Sequence, residues 1–515
     1  MGSIAQAAVI IMIMNLLSRL LGFGRETVIA NEFGATSFTD AYLVAYTLPY
    51  FLQAVLGMAL VTSIVPVVTK YLVKGEEREA WRIASITLNW TALLMTALTI
   101  LGIVGARVLV FLTAPGFDEA TAALATELTM IMFPSLIFMG VGMLVTGILN
   151  AKKSFGVAAF APGFSSLIII FSVLFWGRYG VQYLAWGTLL SMVGFLLIQL
   201  PVLKKVGFRY IWDWNIRHPE VQRLFLNLLP IFLGTAVNQL YLAINRIFAS
   251  GLAEGSISAL NYAGKLMNLP MGIFVLAVSS AIYPTLAEQA FKGDRTQLGR
   301  TLARGLRLVL LVTLPAAAGL MALKVPIVKL LFERGAFDSA ATMMTADALF
   351  YFCIGMFAVA VNMVITRAYY ALGDVKTPLA AGFLSIIVNV VASMVLTPSL
   401  SHAGLALANS LAAVFNALVM YVLLKKHVPC LFLAELGRSV GKYLAGSLLT
   451  GVVAWSLYRY LADTVFVEQS LTILLLNVMV SVSVGVLVYG LCLLISREEE
   501  TGTFLEKISQ KIMKR

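Results

Sequence analysis

Apolar residues fall along this chain in long runs, and the charges collect in the short segments between them. A hydrocarbon layer of about 30 Å needs about 20 apolar residues of helix. Fourteen such windows can be marked, near 7–30, 39–69, 83–106, 124–149, 157–177, 183–203, 224–250, 258–290, 302–324, 344–371, 378–398, 403–424, 439–459 and 470–496. The pattern predicts an all-α polytopic membrane protein of about 14 transmembrane helices. The windows at 39–69 and 258–290 exceed one straight span, and are expected to tilt, to bend at Pro49 and Pro270, or to run beyond the bilayer. The first window has no basic leader and no clear small-residue cleavage site, so it reads as a retained span.

Composition agrees. Of 515 residues, 60% are hydrophobic and 12% charged, whereas a soluble domain carries about 25% charge. Cys353, Cys430 and Cys492 lie far apart, as do His218, His402 and His427, which argues against a metal knuckle, a redox pair or a histidine-based catalytic cluster. The Asn89-Trp90-Thr91 sequon falls inside the third window, where no glycan can be attached.

The formal net charge is +12, and its placement matters more than its size. With the N-terminus assigned to the cytoplasm, 26 of the 37 Lys and Arg fall in cytoplasmic segments and six in external ones. That asymmetry is the positive-inside rule, and it predicts that both termini are cytoplasmic. Topology and anionic headgroups account for the basic excess, so no nucleic-acid partner is needed.

Five cations remain within or beside the spans: Arg19, Arg25, Arg246, Lys265 and Arg367. A cation at mid-bilayer is disfavoured by roughly 2.5 to 3.5 kcal/mol, which points to a hydrated cavity or a fixed counter-ion. Arg19 lies about 18 Å along its helix from residue 7, too deep for easy snorkelling. Arg25 follows six residues on, about 120° round an ideal helix, and Gly22 and Gly24 between them are expected to relax the helix enough for both to face one space. Arg25 also has Glu26 and Asp40 at hand as structural partners, and Asp40 reads equally as a first-turn acid. Arg246 is read either as a second cavity cation or as a snorkelling one, and Arg367 as snorkelling. Cations from both halves of the chain favour a phosphate or pyrophosphate ligand, which arginine grips through paired hydrogen bonds.

The chain repeats itself. Gly116-Phe117-Asp118 returns as Ala336-Phe337-Asp338 at an offset of 220, and Pro66 with Lys74-Gly75 returns as Pro284 with Lys292-Gly293 at an offset of 218. Arg25 to Asp40 spans the same interval as Arg246 to Asn261. Two copies of six helices are therefore expected, in the same orientation, about an axis along the membrane normal and with the substrate site between them. The expected divisions are an N-lobe at 1–204, a cytoplasmic linker at 205–223 carrying Tyr210, Trp212 and Trp214, a C-lobe at 224–426, and two added helices with a basic tail at 427–515. No nucleotide-binding loop, nucleophile elbow or zinc-protease motif is present, so no enzyme and no cofactor is expected, and energy is expected from the membrane potential or from Na⁺ or H⁺.

The order and spacing of Ser18-Arg19-Leu20-Leu21-Gly22-Phe23-Gly24-Arg25-Glu26, Phe33-Gly34-Ala35, Thr39-Asp40-Ala41 and Leu48-Pro49 resemble the N-terminal signature of the MurJ/MviN lipid II flippases. The resemblance runs on through Thr113-Ala114-Pro115-Gly116-Phe117, Asp374-Val375-Lys376-Thr377-Pro378 and His402-Ala403-Gly404-Leu405. It implies two six-helix lobes with two extra C-terminal helices, alternating access, and carriage of lipid II across the bacterial cytoplasmic membrane. It further implies that Arg19, Arg25 and Lys265, with Asp40, line the substrate site, that the polyprenyl tail lies along the last two helices, and that membrane lipids and cell-wall synthesis proteins are neighbours. Glu26, Arg246 and Gln53 are further candidates. Gln53 stands where many relatives carry arginine, and Lys265 where arginine is common, so a flippase for another polyprenyl-pyrophosphate glycan is the nearest rival. A drug–cation antiporter and a non-transporting envelope scaffold are the others.

Overall fold

The computed structural model describes the backbone of residues 4–428, 433–465 and 470–496, and their side chains except at 4–9, 227–240 and 433–436. The basic tail beyond 496 and Cys430 lie outside the described residues. Among those residues there is no strand.

The helices are α1 (Ile4–Phe33), α2 (Ser37–Leu52), α3 (Met58–Val73), α4 (Glu77–Val104), α5 (Ala106–Thr113), α6 (Glu119–Met132), α7 (Ser135–Ala151), α8 (Phe155–Trp176), α9 (Val181–Leu197), α10 (Leu200–Lys205) and α11 (Pro219–Ser250). They continue as α12 (Ser256–Pro270), α13 (Leu276–Phe291), α14 (Arg295–Ala322), α15 (Lys324–Phe332), α16 (Ser339–Ala371), α17 (Lys376–His427), α18 (Leu433–Thr464) and α19 (Leu471–Ile495). Ten helical stretches of the described residues are long and apolar enough to cross a membrane, or eleven when α6 and α7, bent by 41° at their junction, form one span. The windows at 378–398 and 403–424 fall on the single 52-residue α17, which breaks at Ser401 (φ 51°, ψ −134°).

The long windows fall on continuous helical stretches, Ser37–Val73 and Ser256–Phe291. Each carries a five-residue π-helical segment, Gln53–Gly57 between α2 and α3 and Met271–Val275 between α12 and α13. The two segments stand 218 residues apart although their prolines do not, Pro49 lying four residues before its segment and Pro270 directly before its own. The start of α4 returns at the same offset as the start of α14, so the repeat first seen in short motifs is carried by whole helices.

One pair of turns exposes a local conflict. Lys153, after α7, sits at φ 58°, and its counterpart 220 residues on is Gly373, at φ 76°. A side chain at such φ costs about 1 kcal/mol that glycine avoids. Lys153→Gly is therefore expected to raise the thermal midpoint of the purified protein by a few degrees, with a matching gain of about 1 kcal/mol; an unchanged or lower midpoint contradicts this.

The chain separates into two compact units, residues 1–258 with 334–338, and residues 259–333 with 339–515. In the first, α1 lies along α8, α3 against α7, and α8 against α9. Leu60, Ile64, Met95, Leu136, Ile148 and Leu149 form its core. Helices surrounded by lipid gain no hydrophobic advantage from meeting, so their contacts depend on small residues and interhelical hydrogen bonds. Thus Ser18 Oγ donates to the Ala159 carbonyl at 3.0 Å, and Gly163 beside it leaves no room for a Cβ against the Ser18 backbone. In the second unit the same device joins α16 to the far limb of α17. The Gly355 N–H donates to Ser410 Oγ at 3.0 Å, and Ser410 donates to the Tyr351 carbonyl at 2.6 Å. There α18 and α19 pack on each other and on α14, where the Tyr489 hydroxyl donates to the Leu311 carbonyl at 2.9 Å.

Candidate functional site

The register of α1 decides where its two arginines go. The helix runs unbroken through Gly22 and Gly24, so the expected relaxation there does not occur. Ser18 is fastened to α8, and seven residues return a helix to within about 20° of the same face; Arg25 therefore points into the first unit. Arg19, one residue after Ser18, is turned about 100° away and is exposed. The two are not brought together.

Arg25 is paired instead with its neighbour. Its Nη2 donates to Glu26 Oε1 at 2.5 Å, and the side chains are only 21% and 8% exposed. Tyr42 and Tyr46 lie within electrostatic reach of the guanidinium. These tyrosines belong to a row on α2, Tyr42, Tyr46 and Tyr50, with ring centroids 6.1 and 5.5 Å apart. Tyr42 shares a 3.0 Å hydrogen bond with Thr188 of α9, which fixes the row against the unit. Arg25 Nε is buried with no hydrogen-bond partner among the described residues. The arrangement is a largely buried, charge-balanced pair beside two phenols, and the guanidinium still has a donor to offer.

Asp40 is in the first turn of α2 but does not serve its own helix. Its carboxylate accepts from the Gly255 N–H at 2.9 Å, from the Ser258 N–H at 2.8 Å and from the Ser258 hydroxyl, so it caps the start of α12. Unpaired N–H groups and the helix dipole make that end a natural seat for a carboxylate. Arg246, read as either a cavity or a snorkelling cation, is 6% exposed and within electrostatic reach of Asp40 and Tyr42. Its Nε and Nη1 have no hydrogen-bond partner among the described residues. A buried cation is thus balanced by a carboxylate that is itself fully hydrogen-bonded.

Around this bracket the backbone turns meet closely. The Ala336 N–H donates to the Asn31 carbonyl at 2.8 Å, the Ser37 N–H to Glu254 at 2.7 Å, and the Gly116 N–H to Ser250 Oγ at 3.0 Å. Gly34 (φ 65°) and Gly255 (φ 81°) are required here, since a Cβ at either would run into the carbonyl of Ala336 or Ala35. The turn after α1, the turn after α11 and residues 334–338 together close one end of the first unit.

The remaining candidates are elsewhere. Gln53 is the first residue of its π-helical segment and half-buried. Lys265 is half-buried on α12, in the second unit. Arg367, expected to snorkel, donates from Nε to Ser279 Oγ at 3.3 Å and lies over the Tyr283 ring at 5.7 Å, so α13 pins it. The outward face of α18, with Leu448, Leu449, Val452 and Trp455, is apolar and exposed. Tyr42, Tyr46, Gly255 and Ser258 were not singled out from the sequence. The spacing of the tyrosines by four and a Gly-Ser-x-Ser run opening a helix were the signals available.

The sequence pattern of the family described as "Lipid II flippase MurJ" matches residues 29–487. The chain is 32% identical over 421 residues to the lipid II flippase MurJ of Burkholderia cenocepacia, covering 80% of this chain and 82% of that protein. It is 31% identical over 414 residues to the probable lipid II flippase MurJ of Buchnera aphidicola subsp. Acyrthosiphon pisum, covering 79% and 81%. Among solved structures it is similar to a lipid II flippase MurJ in an inward closed conformation, with a TM-score of 0.78, 26% identity, and coverage of 94% of this chain and 98% of that one. An inward-facing multidrug resistance MATE family transporter of the MOP superfamily shares the fold at a TM-score of 0.68 and 16% identity, covering 82% and 98%.

Proposed function

The chain belongs to the MurJ family of lipid II flippases, and we infer on that premise that it is a transporter and not an enzyme, carrying lipid II from the inner to the outer leaflet of the bacterial cytoplasmic membrane by alternating access. The observation that carries the reading is the family match across residues 29–487, which takes in both copies of the internal repeat. In this reading both termini are cytoplasmic, residues 1–204 and 224–426 are the two lobes, and 205–223 connects them.

The cycle we infer uses the geometry described above. Arg19, exposed and without an ion-pair partner among the described residues, makes the first contact with the pyrophosphate. Arg25 then exchanges Glu26 for phosphate oxygens, a trade of one charge-assisted hydrogen bond for two, and Lys265 is proposed as a further substrate-binding cation. The Asp40 bracket is the latch of the outer end: while it caps α12 that end stays shut, and its release admits the outer leaflet. The exposed apolar face of α18 receives the polyprenyl tail. Moving one charge through 100 mV is worth about 2.3 kcal/mol, so an inside-negative potential drives a bound anion outward, with Na⁺ or H⁺ as candidate coupling ions.

Complementation tests the reading. Expression in a bacterium depleted of its own lipid II flippase should restore growth and the appearance of lipid II at the outer leaflet. Failure to restore either, with the protein present in the membrane, contradicts it. Restored export of a different polyprenyl-pyrophosphate glycan alone would assign the rival substrate, which the loss of a cation at Gln53 favours.

A further inference from the structure

Between α10 and α11 the chain has no regular secondary structure and is hydrogen-bonded along α4. Arg82 Nε donates to Asp213 Oδ2 at 2.7 Å, and the Ile211 N–H donates to Ser85 Oγ at 3.0 Å. Asn89 donates to the Asp213 carbonyl at 2.8 Å and accepts from the Tyr210 hydroxyl at 2.7 Å, while Trp90 Nε1 donates to the Trp214 carbonyl at 3.1 Å. The anchors at 82, 85 and 89 share one face of α4, so the strap is held along about two turns.

Here Phe208 and Ile211 pack inward on the core, and Asp213 is taken by Arg82. Tyr210, Trp212, Trp214 and Ile216 face out, being 49%, 76%, 41% and 41% exposed, and the three rings lie edge to face at 6.3 and 5.9 Å. This row lies beside residues 82–90, between the exposed charges of Glu76, Glu77 and Arg78 and the exposed Leu93 and Leu94. It therefore marks the level at which the helix passes from water to hydrocarbon, where indole and phenol rings settle with the ring in the apolar layer and the polar tip in the headgroups. Lys204, Lys205, Arg209 and Arg217 are all exposed at the ends of the strap.

We propose that the strap is a docking surface for anionic phospholipid, with Tyr210, Trp212, Trp214 and Ile216 seated at the headgroup–acyl boundary and the four cations holding phosphate headgroups. The proposal stands apart from the assignment of the transported substrate. Its consequence is mechanical. The strap leads into α11, whose start is tied to α3 and α4 by Lys70–Glu220 at 2.6 Å and His218–Glu79 at 3.0 Å, so bound lipid braces the point where the second repeat begins.

The test uses the full chain in nanodiscs of phosphatidylcholine, with and without phosphatidylglycerol. Native mass spectrometry is expected to find phosphatidylglycerol retained in preference to phosphatidylcholine. Arg209→Gln with Arg217→Gln should reduce that preference on the order of tenfold, while Trp212→Ala should weaken retention of both lipids without changing the ratio. Lipids brominated near the headgroup should quench the wild-type tryptophan emission more than that of Trp212→Phe. Melting temperatures in detergent equal to wild type identify the variants as folded. An unchanged preference in the double variant, or equal quenching in Trp212→Phe, overturns the proposal, as does a strap shielded from brominated lipid in native membranes by a protein partner.

Discussion

Replacing Arg25 by alanine should abolish lipid II export, and removing its partner as well should not restore it. The single change leaves Glu26 buried without its cation, and breaking a buried pair costs about 3 to 5 kcal/mol, so Arg25→Ala alone should also lower expression and melting temperature. Adding Glu26→Gln removes the stranded charge and should recover most of that stability. If the arginine only fastens the helices, the double variant will transport. If it holds the pyrophosphate, two charge-assisted hydrogen bonds of about 1.5 to 3 kcal/mol each are lost, and export falls by at least 100-fold in a protein that melts normally. Export rate and thermal midpoint measured on the same preparations separate the two roles.

Asp40→Asn should be nearly as severe and different in kind. The carboxylate accepts three hydrogen bonds at the start of α12 and sits within reach of the buried Arg246. An amide keeps one accepting oxygen and cancels no charge, so the guanidinium is left uncompensated, again at about 3 to 5 kcal/mol. The expected result is a closed end that opens. A cysteine placed at Ala35, beside the Gly255 turn, should react with an impermeant thiol reagent from outside much faster in the Asp40→Asn background than alone. Adding Arg246→Leu should restore stability but not closure. Equal labelling in both backgrounds would assign Asp40 a purely local capping role.

What the sequence made legible follows from the physics of each feature. Bilayer thickness imposes a length on every span, so the apolar windows, the two over-long ones among them and the repeat all left marks that can be read without coordinates. The charges in the spans were legible as exceptions, but not their partners. Gly22 and Gly24 suggested a loosened helix, whereas α1 is continuous and the contact of Ser18 with Ala159 and Gly163 of α8 sets the register that turns its two arginines apart. Asp40 looked like a companion of the first-helix cations, and its true partners are more than 200 residues away at Gly255 and Ser258. Arg246 could not be decided from sequence, because burial beside a distant carboxylate has no local signature. Pairings across the chain depend on which helix faces meet, and the spacing of residues along one helix does not determine that.

The measurement closest to the central claim is lipid II translocation by the purified chain in proteoliposomes, read as the fraction of labelled lipid II that an impermeant reagent reaches from the far side. With an imposed potential the wild-type chain should raise that fraction steadily, and a variant with Arg19, Arg25 and Lys265 all replaced by alanine together with Glu26→Gln, folded by its melting temperature, should leave it at the level of empty vesicles. Translocation at the wild-type rate in that variant would mean that these cations do not carry the pyrophosphate.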